Sequence, residues 1–191
     1  MLIILEGVDG TFKTTVGKAL NDMLNLPLLQ GSSFESAKLP NDELFAWYLG
    51  TMEKSIGGAI LDRFVYSNLV YASIYEDYSI LTGDQAYKLE ELMKYHHGSM
   101  VLVVYLFGHP DILEYRLSKR GDEYVKKDKI PILLDRYDYV MRQYCRIPYL
   151  LRIDTGYTDS KSCAGVILGQ LNFMYWINRK DDDSVGKDYG F

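Results

Sequence analysis

MLIILEGVDGTFKTT, residues 1–15, is the stretch that decides the fold. Leu2 to Leu5 form a short, wholly apolar run that reads as a strand buried on both faces. Gly7-Val8-Asp9-Gly10-Thr11-Phe12-Lys13-Thr14 follows at once, and helix-forming residues run from Val16 to Leu24. A strand, a tight polar turn and a helix in that order are the setting of a phosphate-binding P-loop. Its backbone N–H groups point at a phosphate, the helix N-terminus adds positive potential, and a lysine reaches the outer phosphates. Lys13 is that lysine, and Thr14 falls where the hydroxyl of the motif holds Mg²⁺.

The spacing G-x-x-x-x-G-K-[ST] is kept at Gly7, Lys13 and Thr14, but Phe12 stands in place of the second glycine. A glycine there lets the main chain approach the phosphate with no side chain in the way. Our expectation is that Phe12 already has helical dihedrals and aims its ring away from the nucleotide, towards the helix–sheet interface. The competing reading is a strand–turn–helix whose Lys and Thr residues are merely solvated.

Working outward, apolar runs alternate with helical patterns. Leu26 to Leu29 reads as a second strand and Ala59 to Leu61 as a third. Met100 to Phe107 is the most apolar run and reads as the central strand, and Tyr149 to Ile153 is the last. Helices are expected from Asn41, from Tyr66 to Tyr75, from Gly83 or Asp84 to His97, from Pro110 to Lys119, from Pro131 to Tyr144 and from Ser160 to Ile177. This alternation gives a three-layer α/β fold: a five-stranded parallel sheet flanked by helices and a short lid, with a charged segment from Arg120 to Lys129. Residues 1–178 read as a single domain and residues 179–191 as a polar tail, disordered or loosely docked.

Composition bounds the function. The chain has 191 residues, a net charge of −5 and ordinary apolar content, which argues against broad binding of polymeric nucleic acid or anionic membrane. Phosphate recognition must then come from local basic clusters. No apolar run approaches the ~20 residues needed to cross a bilayer, and the N-terminus lacks the basic lead of a signal peptide. Cys145 and Cys163 have no metal-ligand spacing and suit a reducing compartment, so the expected location is the cytoplasm. The 17 tyrosines could be core, surface or ligand-stacking groups. His96-His97 at a helix C-terminus read as structural.

Ligands of parallel sheets bind beyond the carboxyl ends of the strands. Gly7 to Thr14, Gln30 to Ser36, Asp62-Arg63 and Asp154-Thr155-Gly156 all sit at such ends. Asp62 can hold Mg²⁺ beside the loop, and Arg63 can fork onto phosphate oxygens; a surface ion pair is the alternative. Arg116, Lys119 and Arg120, at i, i+3 and i+4, project from one helix face. They suit either a mobile lid over a transferring phosphoryl group or a solvated helix end.

Together these segments resemble the thymidylate kinase and deoxynucleotide kinase family, P-loop nucleoside monophosphate kinases, and most of all compact bacteriophage-type members. The resemblance rests on Leu5 to Gly10, on Asp62-Arg63-Phe64-Val65-Tyr66-Ser67-Asn68-Leu69-Val70-Tyr71, on Val103 to Leu106 with Pro110, on Arg116 to Gly121 and on Ile153-Asp154-Thr155. It implies ATP as phosphoryl donor, held by Gly7, Gly10, Thr11, Phe12, Lys13, Thr14 and Thr15, with Mg²⁺ held by Thr14 and Asp62. Arg63 would take the acceptor's 5′-phosphate and Asp9 its 3′-hydroxyl. Phe34, Glu35 and Tyr66 would line the base and sugar pocket, and Arg116 and Arg120 would close over the transferred group. The acceptor implied is a deoxynucleoside 5′-monophosphate, dTMP or a related pyrimidine. The host compartment would be a bacterial cytoplasm, and a homodimer is implied by resemblance only. Two rivals remain: a deoxynucleoside kinase of the same fold, and a regulatory module that binds or hydrolyses ATP without an acceptor.

Overall fold

The computed structural model describes residues 1–121 and 125–185, with side chains to Arg179. The chain runs β1 (Leu2–Glu6), α1 (Lys13–Leu24), β2 (Leu28–Gln30), α2 (Phe34–Ala37), α3 (Asn41–Ser55), β3 (Ala59–Asp62) and α4 (Val65–Tyr71). It continues through α5 (Gly83–His97), β4 (Val101–Phe107), α6 (Pro110–Arg120), α7 (Lys129–Gln143), β5 (Tyr149–Asp154) and α8 (Ser160–Val185). The strands form one all-parallel sheet in the order β2-β3-β1-β4-β5. The expected three-layer α/β fold with five parallel strands is therefore present.

Period-2 alternation builds the layers. Leu2 and Ile4 of β1, Ala59 and Leu61 of β3, and Val101, Val103 and Tyr105 of β4 enter one core with residues of α3, α4, α5 and α7. Ile3 and Leu5, Ile60, and Leu102, Val104 and Leu106 enter the other, against α1 and α8. Five of the tyrosines, Tyr48, Tyr66, Tyr71, Tyr105 and Tyr137, belong to the first core. The tyrosines thus divide between core and surface, with Tyr87, Tyr95, Tyr115 and Tyr157 among the exposed ones.

The central strand is β1, not Met100 to Phe107, because β3 and β4 pair with its two edges. Apolarity reports burial on both faces, which β1 and β4 share, and says nothing of position across the sheet. Placing β1 at the centre puts its loop between the ends of β3 and β4, where a ligand reaches from either side. The short helix α2, absent from the sequence expectation, is fixed by a reciprocal capping box between Ser33 and Ser36. Helix α5 matches its expected bounds, with a Thr82–Gln85 capping box and Gly98 at φ 56° after it. Helix α8 runs to Val185, past the expected Ile177, so helix covers part of the stretch read as tail; residues 186–191 lie outside the described residues. Residues 122–124 of the expected charged segment also lie outside them.

Candidate active site

The loop after β1 is shaped by close approach. A Cβ on Gly7, at φ 143°, would stand 2.1 Å from the Leu106 carbonyl oxygen of β4. Only glycine lets β1 turn there. Two side chains then fold the loop onto one carbonyl: Thr11 Oγ1 and Lys13 Nζ each donate to Val8 O at 2.8 Å. Burial, then the Arg63 charge, pulls the Lys13 ammonium down to about 8. An incoming phosphate would give that ammonium a stronger partner than a neutral carbonyl.

Phe12 is left-handed, at φ 66° and ψ 13°, directly before α1. This corrects the expectation of helical dihedrals: the residue takes a left-handed conformation that favours glycine, at roughly 1–2 kcal/mol of strain for an L-residue. The ring packs partly against the α1/α8 core, towards the helix–sheet interface, while Phe12 also borders the cleft described below. It also lies under the Arg116 guanidinium, 4.0 Å from ring centroid to Cζ.

Opposite the loop, Thr14 Oγ1 donates to Asp62 Oδ2 at 2.5 Å. Next to Asp62, Arg63 takes φ 68°, and Gly31 packs so closely on its carbonyl that a Cβ would collide. Arg63 Nη1 donates to Gly7 O (2.9 Å), Ser67 Oγ (3.3 Å) and the Tyr137 hydroxyl (2.9 Å). Its Nη2 donates to Asp9 Oδ1 (2.6 Å) and the Tyr71 hydroxyl (3.2 Å), while that hydroxyl donates to Asp9 Oδ2 at 2.8 Å. Burial opposes the charge on Asp9, but Arg63 and Lys13 outweigh it and hold the carboxyl well below the usual carboxylate range.

These groups line a cleft of about 790 Å³ with Asp9, Gly10, Phe12, Lys13, Thr14, Thr15, Asp62, Arg63 and Arg120. Its far wall includes Phe34, Tyr71 and Tyr78. Phe34 and Tyr78 touch at 6.2 Å between centroids, tilted by 57°, so a flat ligand would lie along the pair, not between them. Thr14 and Asp62 supply two oxygen donors at the mouth. Mg²⁺ takes one or two protein oxygens and completes its shell with water and phosphate. The pair therefore fits Mg²⁺, and no cluster of three or more His, Cys, Asp or Glu able to cage a metal occurs among the described residues.

No family model matches the chain. It is 44% identical over 140 residues to the SPbeta prophage-derived uncharacterized protein YorR of Bacillus subtilis (strain 168), spanning 73% of this chain and 81% of that protein. The chain belongs to the YorR family. A crystal structure of Bacillus subtilis YorR in complex with phosphorylated GDP matches it at a TM-score of 0.79 and 39% identity, over 92% of this chain and 98% of that one. More distant structures share the fold: a deoxyadenosine kinase from M. mycoides with bound dCTP (TM-score 0.58, 16% identity, 90% and 99% covered) and a shikimate kinase from Acinetobacter baumannii with shikimate (0.53, 18%, 89% and 92%). The fold is thus that of P-loop kinases.

Of the residues expected at the site, this YorR-family chain brings most together and withdraws some. Tyr66 is buried in the core, with its hydroxyl donating to Glu90 Oε1 at 2.5 Å, and does not line the cleft. It points away because its position on α4 faces Glu90 of α5, whereas Ser67 and Tyr71 of the same helix face the cleft. Glu35 is exposed on the first turn of α2 and also lies outside the cleft wall, and Thr11 turns its hydroxyl into the loop. Arg116 does not reach over the cleft. Its Nη2 donates to Thr155 O (2.7 Å) and its Nη1 to Thr155 Oγ1 (3.1 Å) and Gly10 O (3.3 Å). Arg120, one turn further on, is the arginine of α6 that lines it.

Sequence reasoning missed Tyr137, which reaches Arg63 from 74 residues away, and the part played by Glu6. The fully buried Glu6 carboxylate accepts from the backbone N–H of Phe64 (2.9 Å) and Ser67 (3.3 Å), and from the Ser67 hydroxyl. It ties β1 to the start of α4. Burial outweighs these donors and the Arg63 charge and pushes the Glu6 carboxyl up to about 7. A carboxyl raised on folding contributes stability below its unfolded value that is lost as pH climbs through the folded one. The melting temperature of wild type should therefore drop from pH 5.5 to pH 8.5 by about 5 °C more than that of Glu6→Gln. Parallel melting curves for the two proteins would refute this.

Proposed function

We propose that this protein transfers the γ-phosphoryl group of ATP to a deoxynucleoside 5′-monophosphate, dTMP or a related pyrimidine, by direct in-line displacement. The observation that carries the reading is one cleft holding both halves of such a reaction. Lys13, Thr14 and Asp62 line it together with the Asp9–Arg63–Tyr71 constellation. In this reading the loop N–H groups and Lys13 bind the donor phosphates, with Lys13 exchanging Val8 O for a phosphate oxygen. Thr14 and Asp62 would hold Mg²⁺, which when bound neutralises charge on the donor phosphates.

The oxygens around Arg63 fix its guanidinium against Asp9. Arg63 would direct part of its fork to the acceptor phosphate, and Asp9 would receive the sugar hydroxyl. Positioning and charge neutralisation then supply the rate, with no covalent intermediate. Arg120 would close over the transferring group, while Arg116 braces the loop from behind.

A second reading, a guanine nucleotide as one of the two ligands, is favoured by the phosphorylated GDP bound to YorR. Acceptor-stimulated release of ADP, followed by a coupled assay, tests the proposal. ADP formation should rise at least about 100-fold on adding one deoxynucleoside monophosphate, since correct placement of the attacking oxygen carries most of the barrier lowering. ADP release that ignores every acceptor would mean an ATP-hydrolysing module instead.

A further inference from the structure

Phe12 is the one departure from the loop pattern for which phosphate binding gives no reason. Glycine enters the left-handed region freely and leaves it as freely. Here the same main-chain shape is held from two sides. The Phe12 ring is trapped between the α1/α8 core and the Arg116 guanidinium. That guanidinium is itself pinned to Thr155, at the end of β5, and to Gly10 O inside the loop. Thr155 is fully buried and donates from Oγ1 to Phe107 O at 2.8 Å, so the anchor is continuous with β4. Arg116 therefore grips the loop on both sides of Thr11, which is tied in turn to Val8.

We propose that Phe12 and Arg116 are positioning residues, forming a clamp that holds the loop in its phosphate-binding shape before any nucleotide arrives. The first arginine of α6 serves the loop and not the transferred phosphoryl group, and the side-chain stack replaces glycine freedom with preorganisation. The consequence for donor affinity rests on the proposed phosphotransfer; the shape of the empty loop does not.

Amide hydrogen exchange over residues 8–14 of the full-length, nucleotide-free protein tests the clamp, comparing wild type with Phe12→Gly, Arg116→Lys and the double variant. Arg116→Lys keeps the charge but loses the planar fork. Each single change should speed loop exchange about ten-fold, with the rest of the sheet unaltered. The double variant should be no faster than Phe12→Gly alone, because both remove one clamp. In parallel, calorimetric titration should show ATP or GTP binding weakened about ten-fold in Phe12→Gly, about 1.4 kcal/mol. Binding of dTMP or dGMP should be unchanged.

Loop exchange in Phe12→Gly equal to wild type would overturn the clamp, as would additive effects in the double variant or equal losses for donor and acceptor. Should Phe12→Gly fail to fold, Arg116→Lys carries the same comparison. If wild type binds neither ATP nor GTP while loop exchange follows the expected pattern, the clamp stands and the phosphotransfer reading falls.

Discussion

Lys13→Ala should lower turnover by about 10³-fold or more while leaving the protein folded. The ammonium would be the one loop side chain aimed at the donor phosphates, and removing a preorganised charge from a water-poor site costs about two to three orders of magnitude even for a single neutral donor. Stability should change by less than about 1 kcal/mol. Lys13 is a buried cation whose protonation burial already disfavours, and its hydrogen bond to Val8 O is duplicated by Thr11 Oγ1. Single-turnover kinetics together with thermal melting separate the two effects. Near wild-type turnover in the variant would remove the loop from the chemistry. A collapse of stability would mean that the lysine is a structural strut.

Arg63→Ala carries the opposite signature, with a large loss of stability and a selective loss of the acceptor. The side chain joins Gly7 O of the loop, Ser67 of α4, Tyr137 of α7 and Asp9 in one knot. Its removal leaves the Asp9 carboxylate in the cleft wall with Tyr71 as its remaining hydrogen-bond donor in that knot. Breaking a partly buried ion pair from one side costs about 3 kcal/mol, much of it the orphaned charge. Arg63→Ala with Asp9→Asn should therefore recover about half of that loss in urea denaturation. In steady-state kinetics the acceptor KM should rise at least about ten-fold in Arg63→Ala with the ATP KM little moved. Equal rises for both substrates would make Arg63 a scaffold residue only.

What the sequence disclosed was whatever is local. Strand, loop and helix at residues 1–24 are contiguous, so spacing and period alone reveal them, and Asp62-Arg63 declares itself as a charged pair ending a buried run. Sheet order is different, since β1 and β4 are equally apolar and only pairing distinguishes centre from flank. The reading of Tyr66 failed for a similar reason. Which face of α4 meets the cleft depends on packing against Glu90 of α5, which also accepts from the Arg146 N–H in the loop after α7, far along the chain.

Tyr137 could not be found from spacing because its partner Arg63 lies 74 residues away, and Thr155, visible at a strand end, gave no sign of its bond to Arg116, 39 residues away. Phe12 was visible as a departure from the pattern, yet its left-handed conformation follows from the fold's demand at that position and not from any preference of phenylalanine. Glu6 stood in the motif without a role. Its burial under the start of α4 becomes apparent only once β1 and β3 are side by side.

The measurement that bears most directly on the central claim is transfer of label. The protein would be incubated with Mg²⁺, γ-labelled ATP and, separately, each deoxynucleoside, deoxynucleoside monophosphate and guanine nucleotide, and the products resolved by ion exchange. Label moving intact into the diphosphate of one or more monophosphates is the predicted result, and the ranking of bases would decide between a pyrimidine and a guanine acceptor. Label appearing in monophosphate made from a nucleoside, or only as free phosphate, would contradict the account.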